Sequence, residues 1–157
     1  ETTEAAVKSA LQRARATLAE RVPARPEGWA PTTGISDEER AVLGRYIDAF
    51  ERDDASALAA VLREDVRVSY PQVALWCDSA DAFIKGSREH APAGEYRFVA
   101  TSANLQPAVA IYHRAPADTA FRLTALEVLR VVDGMIAEIV DFDIAGREAA
   151  FGLPATL

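Results

Sequence analysis

The hydrophobic period of this chain turns from mainly helical to extended at Gly94, and that change limits the possible folds more than any other feature. Before it, apolar residues recur at helical spacing: Val42, Leu43, Tyr46, Ile47 and Phe50, then Leu58, Val61 and Leu62, then Phe83 and Ile84. Ser36-Asp37-Glu38-Glu39 reads as a capping box that opens the first of these helices. Asp54 caps the second, and the third runs from about 79 to 89. A short strand at 66–70 stops at Pro71. After Gly94 the pattern is extended, over 96–103, 108–114, 121–132 and 136–143, with Asp133-Gly134 as a tight hairpin turn and a closing helical turn within 145–151. Three helices followed by a run of strands predict an α+β domain over 36–157, its helices packed on one curved, mostly antiparallel sheet.

Upstream the character differs. Residues 3–20 read as a helix with Val7, Leu11, Ala14 and Leu18 on one stripe, and Lys8, Gln12 and Arg15 on another face. Residues 21–35 contain Pro23, Pro26, Pro31, Gly28 and Gly34, a semi-stiff linker in which Trp29 is the one large apolar group. The expected organisation is therefore a helix at 1–20, a linker at 21–35 and a domain at 36–157. Charge follows the same division. Residues 1–25 carry Lys8, Arg13, Arg15, Arg21 and Arg25 against Glu1, Glu4 and Glu20, a net of +2, whereas 36–157 carry a net of −8. An acidic domain repels phosphates and a basic helix approaches them, so nucleic acid concerns the first segment alone. Cys77 is the sole cysteine, which excludes an intrachain disulfide and suits a reducing, cytoplasmic setting. No apolar run reaches membrane-spanning length. The chain opens at Glu1 inside a helical pattern and reads as part of something longer.

The strand at 121–132 carries the most chemistry. One parity reads Phe121, Leu123, Ala125, Glu127, Leu129 and Val131, so a carboxylate sits in an apolar row. Such a group must be hydrogen-bonded, paired or protonated. Two readings stay open: a structural Glu127 paired with an arginine, or a pocket acid with a raised pKa. Tyr70, Trp76, Tyr96, Phe98 and Tyr112 are candidate linings of an aromatic cavity or members of the core. His113 shares its strand parity with Val109 and Ile111, which makes it a pocket or core candidate. His90 and His113 are far apart with no further ligand at metal spacing, so no metal site is expected. Asp141 and Asp143 are expected to face solvent or cap the closing turn. There is no phosphate loop or nucleophile elbow, and no cofactor is implied.

Arg45-Tyr46-Ile47-Asp48-Ala49-Phe50, the pair Asp53-Asp54 and Glu64-Asp65-Val66-Arg67-Val68 resemble the opening of SnoaL-like proteins, which share the cone-shaped fold of ketosteroid isomerase. The resemblance implies that Tyr46 takes the place of the isomerase's oxyanion-binding tyrosine and Glu127 that of its second acid. The isomerase base, an aspartate just before a proline, corresponds to Tyr70 before Pro71, and a phenol is a poor base at neutral pH. Isomerase chemistry is not expected on that ground. The pocket is expected to hold a small apolar ligand lined by Tyr46, Tyr70, Trp76, Phe98, His113 and Glu127. The alternatives are an enzyme acting on a cyclic ketone, or a homodimer paired through the sheet face that bears Arg122, Thr124, Leu126, Val128 and Arg130.

The first segment widens the context. Val7-Lys8-Ser9, then Leu11, then Arg13-Ala14-Arg15 is similar to the end of the promoter-reading helix-turn-helix of extracytoplasmic-function sigma factors, some of which carry a fused SnoaL-like domain. Leu75-Trp76, Asn104-Leu105-Gln106-Pro107-Ala108 and Phe151-Gly152-Leu153-Pro154 resemble that group as well, although Leu105 replaces a common glycine. This resemblance implies that Lys8, Arg13 and Arg15 approach DNA phosphates, that residues 36–157 regulate by docking on the upstream sigma regions, and that core RNA polymerase and promoter DNA are the wider partners.

Overall fold

A computed structural model of the chain describes residues 3–21 and 34–157, which fall in two compact units, 1–31 and 32–157. Within the first lies α1 (Glu4–Arg21), with Lys8 paired to Glu4 at 2.7 Å. Val7 and Leu11 on its expected apolar stripe are 54% and 49% exposed. The expected linker, except for Arg21, Gly34 and Ile35, lies outside the described residues, and Trp29 with it.

The second unit opens with the capping box. The Glu39 amide donates to Ser36 Oγ at 3.2 Å and the Ser36 amide donates to Glu39 Oε2 at 2.7 Å, which starts α2 (Asp37–Glu51). Asp53 then takes a left-handed φ of 49°, and Asp54 caps α3 (Ala55–Val61) by accepting from the Ala57 amide at 2.9 Å. Arg88 Nε donates to Asp53 Oδ1 at 2.8 Å, tying this corner to α4 (Ala80–His90), which Ser79 caps. The strands are β1 (Leu62–Tyr70), β2 (Leu75–Cys77), β3 (Glu95–Ala103), β4 (Gln106–Arg114), β5 (Arg122–Val132) and β6 (Met135–Asp143). They form one six-stranded sheet in the order β2-β1-β6-β5-β4-β3, antiparallel except where β1 runs parallel to β6. This is the α+β layout read from the sequence; only the three-residue β2 was not anticipated.

Helices α2, α3 and α4 cover one face of the sheet. Val42, Leu43, Leu58, Phe83, Val66, Leu129 and Ile139 interlock there as the main core, each worth about 1.5–3 kcal/mol of buried apolar surface. The register shifts at three places, one of them in β1 between Leu62 and Arg67, and the two in β5 and β6 decide which side chains meet at the cavity. In β5 the pairing jumps from Ile111–Ala125 to Tyr112–Leu123, so Thr124 is the extra residue. In β6 it jumps from Arg130–Glu138 to Val131–Ile136, so Ala137 is the extra residue. The bulge in β5 breaks the single parity expected for 121–131. Leu123 and Phe121 join Leu126, Tyr112 and Ile144 in a second cluster, while Ala125 and Glu127 remain on the helix-covered side.

This second cluster alters the expected pairing surface. Leu126 is 1% exposed under its own chain, Arg122 is bridged to Thr156, and Thr124 turns toward the cavity with its hydroxyl donating to the Ile111 carbonyl. Tyr112 belongs to this face too, where its hydroxyl donates to the Pro154 carbonyl at 2.9 Å. At the start of β3, Gly94 (φ 142°) passes so close to the Arg114 carbonyl and the His113 ring that a Cβ would overlap both, so a side chain is excluded there.

Candidate functional site

Between α4 and the sheet lies a cavity of about 540 Å³. Its walls are largely aromatic: Phe50 from α2, Phe83 from α4, Tyr96 and Phe98 from β3, Tyr70 from β1 and Trp76 at the mouth. Phe98 stacks on Phe50 at 5.2 Å between ring centroids, which continues the core into the wall. Two acids lie on the floor, Glu127 of β5 and Asp141 of β6, and the strand register puts them directly opposite each other. Tyr70 follows one residue after the Ser69–Val140 pair, so phenol and two carboxyls form a row across three strands. No lysine or arginine is among the described residues that line this space.

Glu127 is 4% exposed. Tyr46, fully buried on α2, donates its hydroxyl to Glu127 Oε2 at 2.8 Å. The other oxygen, Oε1, has no hydrogen-bond partner among the described residues and is not sealed away, so it is the atom offered to the cavity. Burial, and then the charge of Asp141, push the Glu127 carboxyl up to about 8, against the downward pull of the Tyr46 bond. Burial likewise raises Asp141, opposed by Gln72, whose amide donates to Asp141 Oδ1 at 3.2 Å. Burial and then Glu127 drive the Tyr46 phenol well above its ordinary value, so it stays a donor. Burial raises Tyr70 as well.

These facts change several sequence-based expectations. The partner of Glu127 is a phenol and not an arginine; Arg130 of the same strand pairs with Glu138 at 3.1 Å. Tyr70, Trp76, Phe98 and Glu127 line the cavity. Tyr46 does not; it sits beneath Glu127 with its hydroxyl already used. His113 is not a lining residue either: its ring lies tilted against Tyr96 at 4.7 Å between centroids and bonds the Ala93 carbonyl, whereas His90 of α4 is among the lining residues. Asp141 does not face solvent. It lines the cavity opposite Glu127, so a second acid stands beside Glu127 even though the position before Pro71 is a tyrosine. The Ala137 bulge is the reason: counted back from the Asp133-Gly134 turn without it, Glu127 would oppose Val140 and Asp141 would point to the other face. The signal available in the sequence was Ile139, an apolar residue two before Asp141 and on the same side. Among the described residues no group of three His, Cys, Asp or Glu side chains is placed to hold a metal ion.

A curved sheet covered on one face by three helices, with a cavity between α4 and the sheet, is the cone-shaped α+β architecture. The model of the SnoaL-like domain matches residues 43–139, and the chain belongs to that family. The chain is also 31% identical over 160 residues to the ECF RNA polymerase sigma factor SigG of Mycobacterium tuberculosis, an alignment that covers 99% of this chain and 42% of that protein. The chain thus spans less than half the length of the curated relative it matches. Among solved structures it superposes on a protein provisionally assigned as a ketosteroid isomerase from Kribbella flavida, with a TM-score of 0.58, 22% identity and coverage of 71% of this chain and 82% of that one. An NTF-2 like protein of unknown function from Burkholderia xenovorans gives 0.55 at 14% identity, over 68% and 82% of the two chains. At these identities the likeness establishes the fold.

Proposed function

We propose that this chain is the C-terminal part of an extracytoplasmic-function sigma factor, in which residues 36–157 form a regulatory domain controlled by a small ligand in the cavity. One observation carries the reading: the similarity to the sigma factor runs over 99% of the chain, so it includes α1 as well as the SnoaL-like domain. On this reading α1 closes the promoter-reading helix-turn-helix. Lys8, Arg13 and Arg15, all on exposed positions, contact DNA phosphates and fix register without reading bases. The exposed Val7 and Leu11 pack on upstream sigma regions. The acidic domain docks on those regions and shifts their balance between two arrangements, and a ligand that fits the cavity in one arrangement biases that balance. Core RNA polymerase and promoter DNA are then partners of the whole factor, which acts in the cytoplasm. The test is promoter binding and transcription by the full-length factor with and without residues 36–157. A change in either supports regulation, and identical activity removes it.

A second reading, an enzyme of the isomerase or cyclase type, is favoured by Asp141, which supplies a carboxyl beside Glu127 where proton transfer would need one. It is weakened by Tyr46, whose hydroxyl is given to Glu127 instead of a substrate oxygen. Turnover of a cyclic ketone that is abolished by both Glu127→Gln and Asp141→Asn would establish it.

A further inference from the structure

From the acid pair on an aromatic-walled floor, we infer that the ligand of this cavity is a small organic ammonium ion with apolar substituents, a proposal that rests on the cavity being the ligand site. Four observations converge. First, the two carboxyls face each other across adjacent strands, an arrangement in which two negative charges repel unless a proton or a cation lies between them. Second, both are arranged as acceptors. Tyr46 donates to Glu127 and Gln72 donates to Asp141, so the lone pairs that remain on the floor are turned to a positive group, whether or not it carries an N–H. A carbonyl ligand would need a donor, and with the phenol buried and spent it finds only the proton that the acid pair itself holds, which is lost as pH rises through about 8. Third, Tyr70, Trp76, Tyr96 and Phe98 supply ring faces that attract an alkylated ammonium and exclude water around it. Fourth, the described lining contains no lysine or arginine, so an anionic ligand finds no counter-charge.

The groups facing Glu127 are Tyr46 from α2, Tyr70 from β1 and Asp141 from β6, with Cys77 of β2 and His90 of α4 farther along the lining. None of them is a fixed cation, so the positive charge that stabilises the pair arrives with the ligand. When it binds, the proton held by the pair leaves to solvent. Affinity therefore rises with pH until the pair is ionised without help, near pH 8.

The experiment is a calorimetric titration of the 157-residue chain with benzyltrimethylammonium, whose charge does not depend on pH, and with acetophenone as a neutral carbonyl of similar width, at pH values from about 6 to about 9 that bracket the Glu127 titration. The expected result is saturable binding of the cation that strengthens up to about tenfold per unit from about pH 6 to about 8 and then levels, with proton release below about pH 8 and weaker binding of acetophenone that does not strengthen as pH rises. Glu127→Gln and Asp141→Asn each weaken the cation about tenfold or more. Should either variant fail to fold, the pH series on the unaltered chain decides alone. Acetophenone binding more tightly than the cation, or cation affinity that is flat with pH, overturns the ammonium assignment but leaves the cavity a ligand site. Absence of any cation binding overturns it too, whereas the regulatory reading stands or falls separately, on transcription by the full-length factor.

Discussion

Glu127 holds its place because every neighbour discourages its charge except one. Burial and Asp141 raise its pKa, while the Tyr46 hydroxyl lowers it without overcoming them. The consequence for stability has a definite sign. In the fold the carboxyl titrates near 8, and its ordinary value is 4.5, so between those pH values the folded chain keeps a proton that the unfolded chain has lost. Stability contributed by this group is full below about pH 4.5 and falls by roughly 1.4 kcal/mol for each unit up to about 8. Chemical denaturation of Glu127→Gln across about pH 5 to 8 is expected to lack this decline, because the amide does not ionise. Equal slopes in the two proteins would show that Glu127 titrates normally. The residue itself was legible in the sequence, as a carboxylate in an apolar row. Its partner was legible only through family resemblance, since no spacing rule connects Tyr46 to position 127.

Among the elements, helix starts followed from caps and strand positions from periodicity, because Ser36, Asp54 and Ser79 each satisfy amides that nothing else in their helices can reach. The bulges at Thr124 and Ala137 did not follow. A bulge leaves no mark in a hydrophobic alternation that both sides of the sheet share, and here it is what brings Asp141 to Glu127. The β3–β4 hairpin shows the reverse case, a departure visible in sequence that the backbone explains. Asn104 and Leu105 both take left-handed φ values, 51° and 64°, the geometry of a tight hairpin that favours asparagine and glycine. Leu105 is half exposed and gains little by packing there. Leu105→Gly is therefore expected to raise stability by about 0.5–1 kcal/mol, read as a shift of the urea midpoint with no change in slope. A lower midpoint would mean that the leucine packs on something else.

For the whole molecule, the two parts carry charge of opposite sign, a net of +2 over residues 1–25 and −8 over 36–157. The basic α1 suits a phosphate backbone and the acidic domain does not. If Lys8, Arg13 and Arg15 lie on promoter phosphates, replacing all three by alanine in the full-length factor weakens promoter binding similarly on matched and unmatched sequences. It also flattens the dependence of log affinity on log salt by about 0.9 for each phosphate no longer neutralised. An unchanged salt slope would take α1 off the DNA. The cavity lies in the acidic domain. Its wall includes Gly86 in the middle of α4, where an added Cβ meets no atom within 4 Å. A large side chain there fills the cavity without backbone strain, and the helix gains by losing a glycine. Transcription from the cognate promoter by the full-length factor carrying Gly86→Phe is thus the most direct measurement. A regulatory cavity predicts output fixed at one level and no longer responsive to ligand, with the protein folded and at least as stable as before. Output that still rises and falls with ligand as in the unaltered factor would contradict it.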